Sequence, residues 1–179
     1  WQCGRVRDRI ANRPLRANDR RGGRVSPKNV IAEQIAALPV RMDQKGKLRV
    51  LMVTSRDSGR WVMPKGWTMD GKKNWQAAKI EALEEAGAVG FVSDQAIGIY
   101  HYKKRFDDGQ SVKCRVTLYP MVVDKLKRRW KERKERRRHW FSLTKAAKLV
   151  EEPELTELLK SLAKTPVILE ELEDLRPAA

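Results

Sequence analysis

Three glutamates and a lysine–glycine turn are the residues whose types and spacing promise chemistry. Glu81, Glu84 and Glu85 stand at i, i+3 and i+4, so a helix would place all three on one arc at roughly 100° per residue. Like charges at that spacing destabilise a helix by about 0.2–0.5 kcal/mol per pair, and something must offset the repulsion. Lysine or arginine would serve in so basic a chain. A hard divalent cation, Mg2+ or Mn2+, matches better, because such ions take oxygen ligands and bridge to phosphates. A solvated acidic face would carry the same three residues. Upstream, Lys65 and Gly66 follow Pro64. A glycine there lets backbone approach a phosphate closely, although an ordinary turn also uses one.

A helix must hold the glutamates. Asn74 is a suitable N-cap, residues 77–85 are good helix formers, and Gly87 suits a left-handed stop. Trp75, Ala78, Ala82, Leu83 and Ala86 mostly share the arc opposite the carboxylates and can bury themselves.

The rest of the chain supplies strands before and after that helix. Val30, Ile31, Ile35, Leu38 and Val40 lead into a hairpin turn at 43–47, then an apolar strand over 48–54 and a short one over 61–63. After the helix, 95–102 reads as a strand and Asp107-Asp108-Gly109 as a turn. Residues 111–123 alternate, with Val112, Cys114, Val116 and Leu118 on one face; Pro120 argues for an edge or bulge. The run 125–138 is basic, opposed by Glu132 and Glu135, and reads as a solvated loop. A strand over 138–143 follows, then a short helix capped by Ser142 or Thr144. Pro153 opens an amphipathic helix with Leu155, Leu158, Leu159 and Leu162 inward. This order implies an α/β fold, a mixed sheet between helices.

At 179 residues, 41% of them hydrophobic, the chain holds one domain plus extensions. We expect a basic mobile arm over 1–29, the domain over 30–165, and a tail or short helix over 166–179. The net charge of +16 points to an anionic partner: polyphosphate, nucleic acid or an acidic surface. Cys3 and Cys114 are too few for a disulfide framework, so reduced cytoplasmic thiols are the default. No apolar run reaches 18 residues and the start lacks the apolar stretch of a secretory signal, so no membrane span is expected. The expected assembly is a monomer or weak dimer.

Residues 66–88 resemble a Nudix box: Gly, five residues, Glu, seven residues, then Arg-Glu-aliphatic-any-Glu-Glu-any-Gly-aliphatic. Gly66, Glu81, Glu84, Glu85 and Gly87 match, and Ala82 and Ala88 fill the aliphatic places. Two positions depart: Lys72 replaces a glutamate and Ile80 the arginine. The strand order resembles the Nudix sandwich. Trp61, Gly90, Trp140-Phe141 and the Trp-Val-Met-Pro-Lys-Gly run at 61–66 are similar to the diphosphoinositol polyphosphate phosphohydrolases and their dinucleoside-polyphosphate-cleaving relatives.

That resemblance implies a phosphoanhydride hydrolase in which Glu81, Glu84 and Glu85 hold Mg2+ or Mn2+ and one of them orients or deprotonates the attacking water. Lys65 and the backbone at Gly66 would approach the phosphates of a small anionic polyphosphate. By position in that branch, Ser55, Arg56, Lys103, Lys104, Arg105, Arg136 and Arg138 would also grip them. In the family the box arginine orients the carboxylates. With Ile80 in its place that support is expected to be lost, and the ammonium of Lys72 to compete with the metal, giving a slow or metal-weak enzyme. Removal of pyrophosphate from RNA 5′ ends, or hydrolysis of nucleoside diphosphate derivatives, are alternatives. A rival class is a weakened Nudix-like module that binds RNA through its basic segments, with Trp130, His139 and Trp140 near the 125–138 run.

Overall fold

The computed structural model describes residues 31–106, 109–164 and 174. The expected arm over 1–29, most of the 166–179 tail and two residues of the 107–109 turn lie outside them. The elements run β1 (Ile31–Met42), β2 (Leu48–Thr54), β3 (Trp61–Val62), β4 (Lys65–Trp67), α1 (Asn74–Ala86), β5 (Ala88–Val92), β6 (Gly98–Arg105), β7 (Ser111–Leu126), β8 (Arg138–Ser142), α2 (Leu143–Ala147) and α3 (Pro153–Lys164).

Strands β1 and β7 form the spine. They pair in parallel from Ile31↔Lys113 to Val40↔Val122, and every other pairing is antiparallel. The described strands form one mixed sheet in the order β3-β2-β1-β7-β5, with β4 on β1, β6 on β7 and β8 on β2. Side chains alternate across this sheet. Ala36, Leu38, Val40, Val50, Met52, Val116 and Leu118 pack towards α2 and α3. Ile35, Ala37, Leu51, Val53, Met121 and Val123 pack towards α1. Both faces of β1 are thus covered, which is why its centre reads as a continuous apolar run rather than an alternating one.

Four alanines, Ala77, Ala78, Ala82 and Ala86, form the fully buried seam of α1 against the sheet. The helix starts at Asn74, and Lys73 takes the N-cap position in place of the expected Asn74. The Gln76 side-chain oxygen reaches back to accept from the Lys73 backbone N–H at 3.0 Å, the returning half of a capping box. Gly87 ends it at φ +63°, as its spacing predicts.

Three strand expectations need correcting. A short strand, β4, forms where a loop is expected, because residues 65–67 find partners on β1. Strand β5 is missed in the sequence: Gly90 interrupts its apolar pattern at a register shift against β7. Pro120 sits in the central strand, not at an edge or bulge. It is tolerated because β7 changes partner there: β6 ends opposite Leu118 and β5 begins opposite Met121. The Pro120 carbonyl accepts from Ser93 on that same side, so the missing N–H faces the gap between two strands.

Gly90 offers a direct test of the β5–β7 register. A Cβ there would lie 1.9 Å from the Val122 carbonyl oxygen, and backbone cannot step aside. Gly90→Ala should lower unfolding free energy by about 3 kcal/mol in urea titrations. Gly98→Ala, whose Cβ meets only the end of Leu158 at 3.0 Å, should cost less than about 1 kcal/mol.

Candidate active site

The carboxylate end of α1 lies under the β4 turn, where an unpaired charge would be costly. Glu85 is buried at 5% exposure. Its Oε2 accepts from the Lys65 backbone N–H at 3.1 Å, and its Oε1 accepts from Arg136 Nη2 at 2.5 Å. Burial pushes the Glu85 carboxyl up, opposed by the charges of Arg136 and Lys65. Desolvation pushes the Lys65 ammonium down, opposed by Glu85; Lys65 Nζ lies 5.2 Å from the Tyr102 ring centroid. Gly66 lies directly against the Glu81 carboxylate: a Cβ on it would stand 2.1 Å from Oε1, so a side chain there would displace that carboxylate.

Glu84 pairs with Lys131 at 2.5 Å, with 33% and 64% of the two side chains exposed. Glu81 is different. Among the described residues it has no hydrogen bond or ion pair, and burial, followed by the charges of Glu85, Glu84 and Glu132, pushes its carboxyl up to about 7. It is a carboxylate short of a cation.

Residues 127–137, between β7 and β8, are mostly exposed, as a basic run predicts, but Trp130, Glu132 and Arg136 turn in against this end of α1. Trp130 Nε1 donates to the Glu85 carbonyl at 3.1 Å. Glu132 N donates to the Glu84 carbonyl and Lys127 N to the Gly87 carbonyl. These bonds satisfy the carbonyls a helix leaves open at its C-terminus. Arg138 completes the cap: Nη1 donates to the Ala86 carbonyl at 2.6 Å, Nη2 to the Lys127 carbonyl at 3.0 Å, and the guanidinium lies 3.8 Å over the Trp130 ring. Trp130 is thereby held at the helix end, with Arg138 over its ring and the residue half-buried.

Of the basic residues expected to grip phosphates, two hold the protein together. Arg138 caps α1. Arg136 is 7% exposed, with Nε on Glu132, Nη1 on the Thr54 carbonyl at 2.9 Å and Nη2 on Glu85. All three of its nitrogens are engaged internally, so the expected substrate contact is not what the structure shows. Lys72, expected to lean on the carboxylates, is exposed; the cations that do reach them are Lys131 and Arg136. Ile80 lines a shallow apolar groove with Lys79, Leu83, Ala88 and Val89.

The remaining expected contacts are dispersed. Ser55 Oγ lies 2.8 Å from Ser58 Oγ, and Arg56 reaches Glu135 at 3.4 Å. On β6 alternation separates three neighbours. Lys104 shares a face with Tyr102, and its Nζ stands 5.0 Å and 5.5 Å from the Trp67 and Phe106 rings. Lys103 and Arg105 are exposed on the other face. The sequence reading missed Glu132, which adds a fourth negative charge beside Glu81 and Glu85. Its signal was an acid in a basic run, four residues before Arg136. Also missed were Arg60, paired with buried Glu152 at 2.9 Å, and Gln34, which accepts from the Tyr102 hydroxyl at 2.7 Å.

The donor chemistry suits a hard divalent cation: oxygen ligands only, one of them, Glu81, without an ion-pair partner among the described residues. Among the described residues no three acidic, histidine or cysteine side chains converge on a single point. Protein cations hold Glu84 and Glu85, and the exposed Lys131–Glu84 pair is the one that can open.

Fold and site together define an α/β sandwich with a carboxylate-bearing helix seated under a glycine turn. The NUDIX domain family model matches residues 32–162, and the chain belongs to that family. Nudix hydrolase 12, mitochondrial, of Arabidopsis thaliana is 32% identical over 111 residues, 60% of this chain and 55% of that protein. Diphosphoinositol polyphosphate phosphohydrolase 3-alpha of Homo sapiens is 28% identical over 121 residues, 66% of this chain and 69% of that protein. The chain spans about half the length of the curated plant relatives it matches first. A C. elegans Ap4A hydrolase structure, in a binary complex, aligns with a TM-score of 0.56 and 21% identity over 79% of this chain and 99% of that one, a shared fold.

The unpaired Glu81 gives a pH signature. Its folded-state value of about 7 lies above the 4.5 of an unperturbed glutamate. Between those values the unfolded chain has released a proton that the folded chain keeps, so stability falls as pH rises through that window. With divalent ions chelated, Glu81→Gln should be more stable than the parent at pH 8, by as much as about 3 kcal/mol. The difference should vanish at pH 4, as read by urea unfolding at both pH values.

Proposed function

We propose that this chain is a divalent-cation-dependent hydrolase of phosphoanhydride bonds in a small, highly anionic substrate, a diphosphoinositol polyphosphate or a dinucleoside polyphosphate. The observation that carries the proposal is Glu81: a carboxylate with no hydrogen bond or ion pair among the described residues, crowded by Glu84, Glu85 and Glu132, and lying directly against Gly66. Family membership supports the reaction class. The net charge of +16 and the name of the human relative support a strongly anionic substrate.

Bound Mg2+ or Mn2+ would neutralise charge on the phosphate oxygens and lower the pKa of a bound water. Glu81, Glu84 and Glu85 are the residues to hold it. Glu85 is already oriented by the Lys65 N–H and Arg136. One of the three is the candidate to orient or deprotonate the attacking water. Lys65 and Gly66 border the same space; the lysine supplies positive charge and the glycine admits phosphate to the backbone. Lys104, beside Trp67 and Phe106, and Arg56, paired with Glu135, add to the positive charge that favours an anionic substrate.

A panel of diphosphoinositol polyphosphates, dinucleoside polyphosphates, 5′-triphosphorylated RNA and nucleoside diphosphate derivatives, each with Mg2+ or Mn2+, tests the proposal. Cleavage of one of the first two classes is expected, with kcat lowered at least about 100-fold by Glu85→Gln, beyond the usual loss from removing an outer partner of a metal site. No cleavage of any member with either ion would refute it.

A further inference from the structure

We infer that Arg136 is the positioning residue for the metal-side carboxylate in this chain, doing from the 127–137 loop what an arginine at position 80 would do from the helix. The inference rests on the hydrolase reading and deepens it. Position 80 holds isoleucine, and its side chain lies in an apolar groove with Leu83 and Val89. The guanidinium that Glu85 needs comes instead from 51 residues further along the chain.

The geometry is that of a positioning group. Arg136 is bonded at once to Glu85, to Glu132 and to the Thr54 carbonyl at the end of β2. A planar guanidinium can satisfy three fixed acceptors in different directions, whereas an ammonium on a flexible stem acts as a point charge. The Thr54 bond refers the position of Glu85 to the sheet, so the carboxylate does not depend on its own helix alone. With 7% of the side chain exposed, a phosphate could not reach this guanidinium without breaking those bonds. Lys131 contrasts with it. Its pair with Glu84 is exposed and involves one carboxylate, so it competes with a cation without fixing a ligand.

The experiment compares the full chain with Arg136→Lys, Arg136→Gln and Lys131→Ala. Mn2+ affinity is measured by the EPR signal of free ion, and binding of inorganic tripolyphosphate to Mn2+-saturated protein by calorimetry. Arg136→Lys keeps a charge between Glu85 and Glu132 and remains informative should Arg136→Gln not fold. Arg136→Lys should weaken Mn2+ binding about 10- to 100-fold, the usual effect of losing an outer partner of a metal site, while tripolyphosphate affinity at saturating Mn2+ changes less than about threefold. Lys131→Ala should bind Mn2+ at least as tightly as the parent. Unchanged Mn2+ affinity with weakened tripolyphosphate binding would make Arg136 a substrate contact and overturn the assignment. Equal losses in Arg136→Lys and Lys131→Ala would overturn it too, as would a parent chain that binds no Mn2+. A parent that binds Mn2+, loses it in Arg136→Lys and cleaves nothing in the substrate panel would refute the hydrolase reading and leave Arg136 in its role.

Discussion

A carboxylate removed from water must be met by a charge or by hydrogen bonds, and Glu85 is met by both. Burying it unpaired would cost several kcal/mol. The Lys65 N–H meets one oxygen and the Arg136 guanidinium the other, and much of the molecule is arranged to make those two contacts. The β4 strand on β1 brings in the amide. Arg136 requires the 127–137 segment to fold back over the helix, and that fold-back in turn supplies the donors that close the helix C-terminus. One buried ion pair therefore couples the sheet, the helix and a loop that is otherwise mostly exposed.

What could be read from the sequence was what is local. Glu81, Glu84, Glu85 and Gly87 are fixed by helical spacing, and their arrangement follows from a period of 3.6 residues. The spine strands announced themselves by apolar content. Strand β5 did not, because five residues with a glycine in the middle carry too little pattern. The role of Arg136 was also illegible: it stands in a row of basic residues of one chemical type, and only a contact across 51 positions distinguishes it from Arg133 or Arg137. Gly66 was legible as a glycine, but its reason was not, since the atom it makes room for belongs to Glu81, fifteen residues later in the chain.

The two departures from the box thus have different outcomes. In the assignment proposed for Arg136, the place of the missing arginine is taken by an arginine from another element, one that sets its guanidinium on Glu85. The lysine at 72 remains in solvent, away from the carboxylates. A pattern defined along the chain records one way of meeting a requirement that is set in three dimensions, and a mismatch in the pattern does not by itself measure a loss of chemistry.

The alanine seam of α1 has a mechanical consequence. Methyl groups seat a helix close to a sheet with almost no rotamer entropy to lose, but they offer few contacts to resist its withdrawal. Resistance is concentrated where Trp130 and Arg138 clamp the last turn. The first turn, next to the exposed residues 70–74, is held by bonds local to it: the Gln76 side chain takes the Lys73 N–H, and the Lys73 carbonyl accepts from the Gln76 and Ala77 N–H groups. Thermal fraying of this helix is therefore expected to be polarised, starting at Asn74 and fading before the glutamates, so that the end bearing the acidic groups loosens last.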